Sequence, residues 1–323
     1  MRPGSDILGL VQAHSSTRTR VSFDSEGAAC AGHIYLPVDA RGKVPCVVMA
    51  NGFSGTMDWI LPWFAERFAA AGCAVLIFDY RHLGESEGQP RQLIEVRKQR
   101  ADLQRAVALA RMYEGIDPER IALWGTSLGG SHVVDLAARD ARIAAVICNV
   151  PALDALRGGN FAAKMRSARM SRAQLVGATA RLLGAAALDA VRGLLGLSPR
   201  YIQVYGRAGE AFFADPSLAE RFRTVEENSP TWENRVAPRF LFGAPRYREG
   251  TMERIGVPLL ISLASKDVEV SSAFVKEKAS KAPRVEIKEY PVDHFEMYHG
   301  ATFEQVVSDQ IDFLRKHLLD DAA

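Results

Sequence analysis

An excess of charge of one sign is missing from this sequence: 40 Lys and Arg stand against 38 Asp and Glu, a net of +2 over 323 residues with histidine neutral. No basic block offsets that balance, so the electrostatic footprint of a nucleic-acid-binding protein is absent. Cysteine is scarce. Cys30, Cys46, Cys73 and Cys148 are scattered without metal-ligand spacing. Three of them lie in apolar runs, which predicts buried thiols in a reducing compartment and argues against disulfides or a zinc site. Long hydrophobic runs are missing too. The apolar stretches are broken by Arg, Asp or Gly before they reach the roughly 18 residues of a membrane span, and Ile7 to Val11 is too short for the core of an export signal. These absences predict a cytoplasmic chain with no nucleic-acid partner, no stable membrane association, no metal and no cofactor. What remains is an ordinary globular composition, 48% hydrophobic and 24% charged with 26 Gly and 15 Pro, which excludes disordered, collagen-like and coiled-coil chains.

The pattern along the chain is that of an α/β domain. Thr19 to Asp24 and Ala29 to Pro37, joined by Ser25-Glu26-Gly27, read as an antiparallel hairpin. Val44 to Ala50 is an unbroken apolar run bounded by turn residues, as expected of a strand buried on both faces. Strand and helix then alternate: helix Asp58 to Ala71, strand Cys73 to Asp79, helix Leu93 to Glu114, strand Ile121 to Trp124, helix Leu128 to Ala138, strand Ile143 to Val150. Such a series builds a mostly parallel central sheet covered by helices. Between Pro151 and Gly256 the alternation stops and no convincing strand occurs, so residues 151–256 read as a helical cap inserted into a core formed by 1–150 and 257–323. The pattern resumes with strands Val257 to Ala264 and Val285 to Tyr290. A last helix, Phe303 to Leu319, is expected to open with Thr302 and Gln305 in capping-box spacing.

Gly125-Thr126-Ser127-Leu128-Gly129 follows a strand and opens a helix. A nucleophile on so tight a turn needs small neighbours two residues to either side; the plain alternative is a serine capping a helix beside packing glycines. A serine hydroxyl needs a base to take its proton and a group to orient that base. Of seven histidines (His14, His33, His82, His132, His294, His299 and His317), His294 lies in the loop after the last strand, within reach of the sheet edge that carries Ser127. His299, five residues on, competes with it. Asp267, in Ser265-Lys266-Asp267 directly after VPLLISLA, is the favoured acid. Asp154, after the sixth strand, is the alternative, and turn or cap chemistry is the plain reading of either aspartate. Asp293, beside the base, should point elsewhere.

The chain order Ser127, Asp267, His294 is that of the α/β-hydrolases. The stretches 22–154 and 257–319 resemble that superfamily, and in particular its dienelactone-hydrolase and acetyl-esterase-like branch. The branch is suggested by Val48-Met49-Ala50-Asn51-Gly52-Phe53, by Phe78-Asp79-Tyr80-Arg81 with Gly84, Ser86 and Gly88, and by Trp124 through Gly130. The resemblance implies an oxyanion hole made by the backbone N–H groups of Phe53 and Leu128. Members commonly carry His-Gly where this chain has Asn51-Gly52, which puts the geometry of that loop in question. The insertion resembles nothing assignable.

The leading functional reading is a serine hydrolase that cleaves a carboxylic ester, lactone or thioester of a small-molecule substrate through an acyl-enzyme. Acyl transfer, cyclisation or carbon–carbon cleavage by the same site is the second. A catalytically silent binding protein on this scaffold is the third. Asn51, Trp59 and Trp63 are pocket candidates, although core packing suits the tryptophans equally. Asp79, Arg81, Arg91 and Asp102 could form an ion network beneath the site, with ordinary structural pairs as the default. The insertion's Arg166, Arg169, Arg172, Arg181 and Arg192, beside Leu182, Leu183, Leu194 and Leu195, suggest an amphipathic lid, or else a solvated helix face. The Leu- and Ala-rich stretch Gln174 to Leu197 is expected to lie over Ser127 and supply a pocket for a moderately large, apolar substrate. Its rival role is the interface of a homodimer.

Overall fold

The structure, a computed structural model, describes residues 16–160 and 171–319. The chain opens with an antiparallel hairpin, β1 (Ser16–Ser25) and β2 (Ala28–Pro37), turned by Glu26 and Gly27, both at positive φ. There follow β3 (Val44–Ala50), α1 (Leu61–Ala70), β4 (Ala74–Phe78), α2 (Val96–Met112), β5 (Ile116–Thr126), α3 (Leu128–Ala137) and β6 (Ile143–Asn149). After the inserted segment come β9 (Leu259–Ala264), α7 (Ser272–Ala279), β10 (Val285–Tyr290) and α8 (Gly300–Leu314). The insertion itself holds α4 (Arg172–Leu194), the short strands β7 (Gln203–Tyr205) and β8 (Ala211–Phe213), and two short helices, α5 (Leu218–Arg221) and α6 (Arg223–Glu227).

Eight strands form one sheet in the order β1-β2-β4-β3-β5-β6-β9-β10, antiparallel where β2 meets β1 and β4 and parallel elsewhere. This is the mostly parallel sheet that the alternation predicted, in the α/β-hydrolase arrangement that the resemblance implied. Because successive strand side chains face opposite ways, Val47, Met49, Ala122 and Trp124 pack on one side with Leu61, Phe64 and Phe68 of α1 and Phe303, Val306 and Val307 of α8. Cys46, Val48, Ile121 and Leu123 pack on the other with Leu103 and Val107 of α2, Val133 of α3 and Val275 of α7. All four cysteines are buried and free, and burial pushes the Cys30 and Cys73 thiols up to about 12.

Two sequence expectations need correction. The insertion does contain strands: β7 and β8 pair in parallel, but at three residues each they are too short to show a period. The last helix starts at Gly300 with His299 as its N-cap and no side-chain cap bond, which leaves Thr302 inside the first turn. A capping box occurs elsewhere, at the start of α4, where the Ser171 hydroxyl accepts from Gln174 N and the Gln174 carboxamide accepts from Ser171 N. Arg166 and Arg169 lie outside the described residues. No helix among those described is long and apolar enough to cross a membrane.

Candidate active site

A single residue, Ser127, separates β5 from α3, with φ 49° and ψ −116°. A non-glycine residue at positive φ stores about 1–3 kcal/mol of backbone strain, and the neighbours explain how the turn is held so tightly. A Cβ on Gly125 would lie 2.5 Å from the carbonyl oxygen of Gly129, and a Cβ on Gly129 would lie 2.1 Å from that of Ala50 at the end of β3. Gly129 is therefore required because the first turn of α3 lies against the β3 backbone. The Ser127 amide donates to the Asn149 carbonyl at 2.9 Å, which ties the turn to the end of β6.

The loops after β9 and β10 deliver two further groups. His294 Nε2 lies 3.2 Å from Ser127 Oγ, and His294 Nδ1 lies 2.7 Å from Asp267 Oδ2. Both side chains are buried. Asp267 is fixed in turn by the amides of Glu269 and Val270, each donating to Oδ1 at 2.8 Å. Burial by itself would hold the imidazole below its ordinary range, but the charge of Asp267 and its hydrogen bond outweigh that and raise the His294 pKa.

The rival residues are engaged elsewhere. Asp154 accepts from the amides of Leu156, Arg157 and Tyr247 and from the Arg157 guanidinium. Burial favours its neutral form, yet these donors hold its pKa below the usual value. His299 caps α8 with its ring against Phe222, and burial depresses its pKa. His132 is wholly buried, bonded to Gln99, and pushed down to about 3 by burial. His14 lies outside the described residues. Asp293 makes a two-pronged ion pair at 2.8 and 3.0 Å with Arg221 of α5. The four-member ion network does not form. Arg81 pairs with buried Asp102 at 2.6 Å, whereas Asp79 accepts from the amides of Met57 and Glu85 and Arg91 donates to backbone carbonyls.

Two cavities meet at Ser127. One, of about 60 Å³, is walled largely by rings, among them Phe53, Trp59, Tyr205, Phe222 and Trp232. The other, of about 120 Å³, is lined by Leu128, Ala152, Phe240 and Val270 among others. Phe53 borders both. Asn51 lines the first cavity, but its carboxamide is used up locally, donating to Thr56 O at 2.6 Å and accepting from Gly52 N at 2.7 Å. This is how Asn51 shapes the loop that carries Phe53. Trp59 lines the cavity and stacks on Trp232 at 4.3 Å. Trp63 lines neither cavity and packs edge-on against Phe303, so it belongs to the core.

The walls from the insertion come from residues 152–159 and 204–245, and α4 lines neither cavity. It borders a wider groove of about 1020 Å³ that reaches His294 and carries Arg181, Arg207, Arg221 and Lys266. Its leucines turn outward, Leu183 half-exposed and Leu194 88% exposed. The apolar pocket expected from Gln174 to Leu197 is thus supplied by Tyr205, Phe212, Phe213, Phe222, Trp232 and Phe240. Sequence reasoning passed over these, although the clustering of rings after Tyr201 was a signal. Among the described residues no group of three or more His, Cys, Asp or Glu side chains is placed to hold a metal ion.

Comparison with known proteins agrees with this fold. The chain is 38% identical over 298 residues, 92% of its own length and 94% of the relative's, to the quorum-quenching protein AidA of Acinetobacter baumannii. Over 130 residues, 40% of each chain, it is 42% identical to the thiohydrolase aneE of Aspergillus aculeatus. A relative from a Penicillium species, named polyketide transferase grgF, is 26% identical over 95% of this chain and 99% of its own. The crystal structure of α/β hydrolase GrgF from Penicillium sp. sh18 superposes with a TM-score of 0.72 at 25% identity, covering 94% of this chain and 99% of that one. A family model described as hydrolase, serine aminopeptidase S33, matches residues 43–306, and the chain therefore belongs to that family of α/β-hydrolase enzymes.

Proposed function

We propose that the protein is a serine hydrolase that cleaves a carboxylic ester, lactone or thioester through an acyl-enzyme on Ser127. The observation that carries this reading is the unbroken line of contacts from Ser127 Oγ through His294 to Asp267. His294 takes the hydroxyl proton as Ser127 attacks the carbonyl carbon, and Asp267 holds the tautomer that leaves Nε2 free to do so. The imidazolium is stabilised by Asp267 and then protonates the departing oxygen or sulfur. The amides of Phe53 and Leu128 receive the negative oxygen of the tetrahedral intermediate. Leu128 is suited to this as the first residue of α3, whose N–H has no carbonyl within its own helix. A water molecule, activated by His294 in the reverse sense, releases the acid and restores Ser127.

Residues 151–256 act in this reading as a cap. The reacting end of an apolar substrate fills the small cavities at Ser127, and the body of a moderately large one extends along the groove past His294. The dienelactone-hydrolase-like branch rests on the motifs around Asn51, Asp79 and Ser127. Acyl transfer is a second reading, favoured by the relative named a polyketide transferase; an alcohol or amine then replaces water on the same acyl-enzyme. Rapid mixing with p-nitrophenyl butyrate tests both. Acyl-enzyme chemistry predicts a burst of nitrophenol approaching one equivalent of protein if deacylation is slow, and faster turnover with added hydroxylamine. The absence of any nitrophenol release that depends on Ser127 would remove the proposal.

A further inference from the structure

Arg97, Arg100, Arg139, Arg142, Arg246 and Arg248 lie far apart in sequence and form no basic block, yet the fold gathers them along one groove. Arg97 and Arg100 stand about one turn apart on α2, Arg139 and Arg142 lie between α3 and β6, and Arg246 and Arg248 lie near the end of the insertion. The groove has a volume of about 830 Å³ and is distinct from the reaction site. Neither Ser127 nor His294 borders it, and it shares only the Ala244–Pro245 wall with a cavity at Ser127.

Among the described residues, the charges that line this groove are the six arginines and the carboxylates of Asp135 and Asp140, a net of +4. The whole chain carries only +2, so the rest of it is net negative. Nor do the two carboxylates serve the arginines evenly. Asp140 accepts at 2.9 Å from Arg111, which lies outside the groove, and stands 3.8 Å from Arg142. Asp135 accepts from Arg139 and stands 3.3 Å from Arg100. Arg97 and Arg246 approach carboxylates only to 3.8 and 3.9 Å, and the Arg248 side chain has no hydrogen bond or ion pair among the described residues. Burial, reinforced by the charges of Arg139 and Arg248, lowers the Arg100 pKa to about 10, which leaves it cationic at neutral pH. Like charges are thus held together with too few counter-charges, and a bound anion relieves their repulsion.

We infer that this groove is a binding site for a small molecule that carries a diphosphate group. A guanidinium presents paired N–H donors that match the oxygens of a phosphate, and forks arriving from three parts of the chain can hold more than one phosphate at once. A diphosphate brings roughly three negative charges at neutral pH, close to what the groove lacks. No aromatic side chain lines the groove, so it offers no ring on which a nucleobase would stack. The net negative charge of the rest of the chain opposes a long polyanion that would run beyond the groove.

Titration calorimetry at low salt, with pyrophosphate as the probe, tests this. The wild type is expected to bind pyrophosphate at one site with a micromolar Kd, at least tenfold tighter than inorganic phosphate, and Ser127→Ala should bind it equally well. Arg248→Gln and Arg142→Gln, taken from different walls, should each weaken binding about tenfold. Arg181→Gln, in the groove that reaches His294, should leave it unchanged. ADP should bind no more than a few-fold tighter than pyrophosphate, as expected if the diphosphate alone is recognised. No binding at millimolar pyrophosphate, equal affinity for phosphate and pyrophosphate, or undiminished binding in Arg248→Gln and Arg142→Gln would overturn the inference. So would ADP or a single-stranded oligonucleotide that binds tenfold or more tighter than pyrophosphate and loses its affinity in the same two variants.

Discussion

Ser127, His294 and Asp267 lie far apart in sequence and stand in one hydrogen-bonded line because each ends a strand of the same sheet edge. If they act as one unit, Ser127→Ala and His294→Ala should each lower kcat for an activated ester about a thousandfold or more, and the double variant should be scarcely worse than either. Steady-state rates on the three proteins check this. The raised pKa of His294 gives a pH dependence with a definite sign. The base must be neutral, so kcat/KM should fall on the acidic side with a midpoint above the ordinary histidine value of about 6.5. Asp267→Asn removes the charge that stabilises the imidazolium and should move that midpoint down, besides lowering the rate severely. Asp154→Asn should leave the midpoint in place. Its main effect should be a loss of about 1–3 kcal/mol in urea unfolding, because four donors converge on that carboxylate. These residues were legible in the sequence since the Gly-x-Ser-x-Gly turn and the two loops after strands are local signals. Trp63 was not, because a tryptophan on α1 can face core or pocket without any change in the local pattern.

At the scale of elements, the strands of the sheet were legible as short runs bounded by turn residues: Val44–Ala50, buried on both faces, and the half-exposed edge strand Val285–Tyr290 match the expected bounds. The short α7, the three-residue β7 and β8, and the true start of α8 were not. The first three are too short to show a period, and no side-chain cap bond marks the start of α8. The elbow makes a sharper claim. Gly129→Ala must push α3 away from the β3 backbone, since the new Cβ would stand 2.1 Å from Ala50 O. Lowered thermal stability and a large loss of activity are expected together. For α4 the expectation is the opposite. Leu183→Gln and Leu194→Gln should leave selectivity among acyl chain lengths unchanged, because these side chains face solvent and line neither cavity at Ser127. A shift in that selectivity would restore the helix to the pocket.

Over the whole molecule, the eight-stranded sheet positions Ser127, His294 and Asp267, and the inserted segment supplies part of the walls around them, the rest coming from core residues such as Phe53 and Trp59. That division explains why the chemistry could be read from the sequence and the substrate could not. The loops that carry Ser127, Asp267 and His294 follow strands with a strong pattern, whereas residues 151–256 line the cavities with aromatic residues spread across short strands, turns and short helices. The two parts are joined near the base by the Arg221–Asp293 pair, which is partly exposed. Arg221→Gln should raise KM about fivefold, equivalent to about 1 kcal/mol, with little change in kcat, because Asp293 still caps the turn through the amides of Phe295 and Glu296.

The central claim is that Ser127 is a nucleophile activated by His294, and the most direct measurement is covalent labelling. The protein is treated with a fluorophosphonate and digested, and the modified peptide is sequenced by mass spectrometry. The account predicts a single adduct on Ser127, concurrent loss of esterase activity, and labelling that is lost in Ser127→Ala and strongly slowed in His294→Ala. An unmodified Ser127 in protein that the reagent has inactivated, or ester turnover retained in Ser127→Ala, would contradict it.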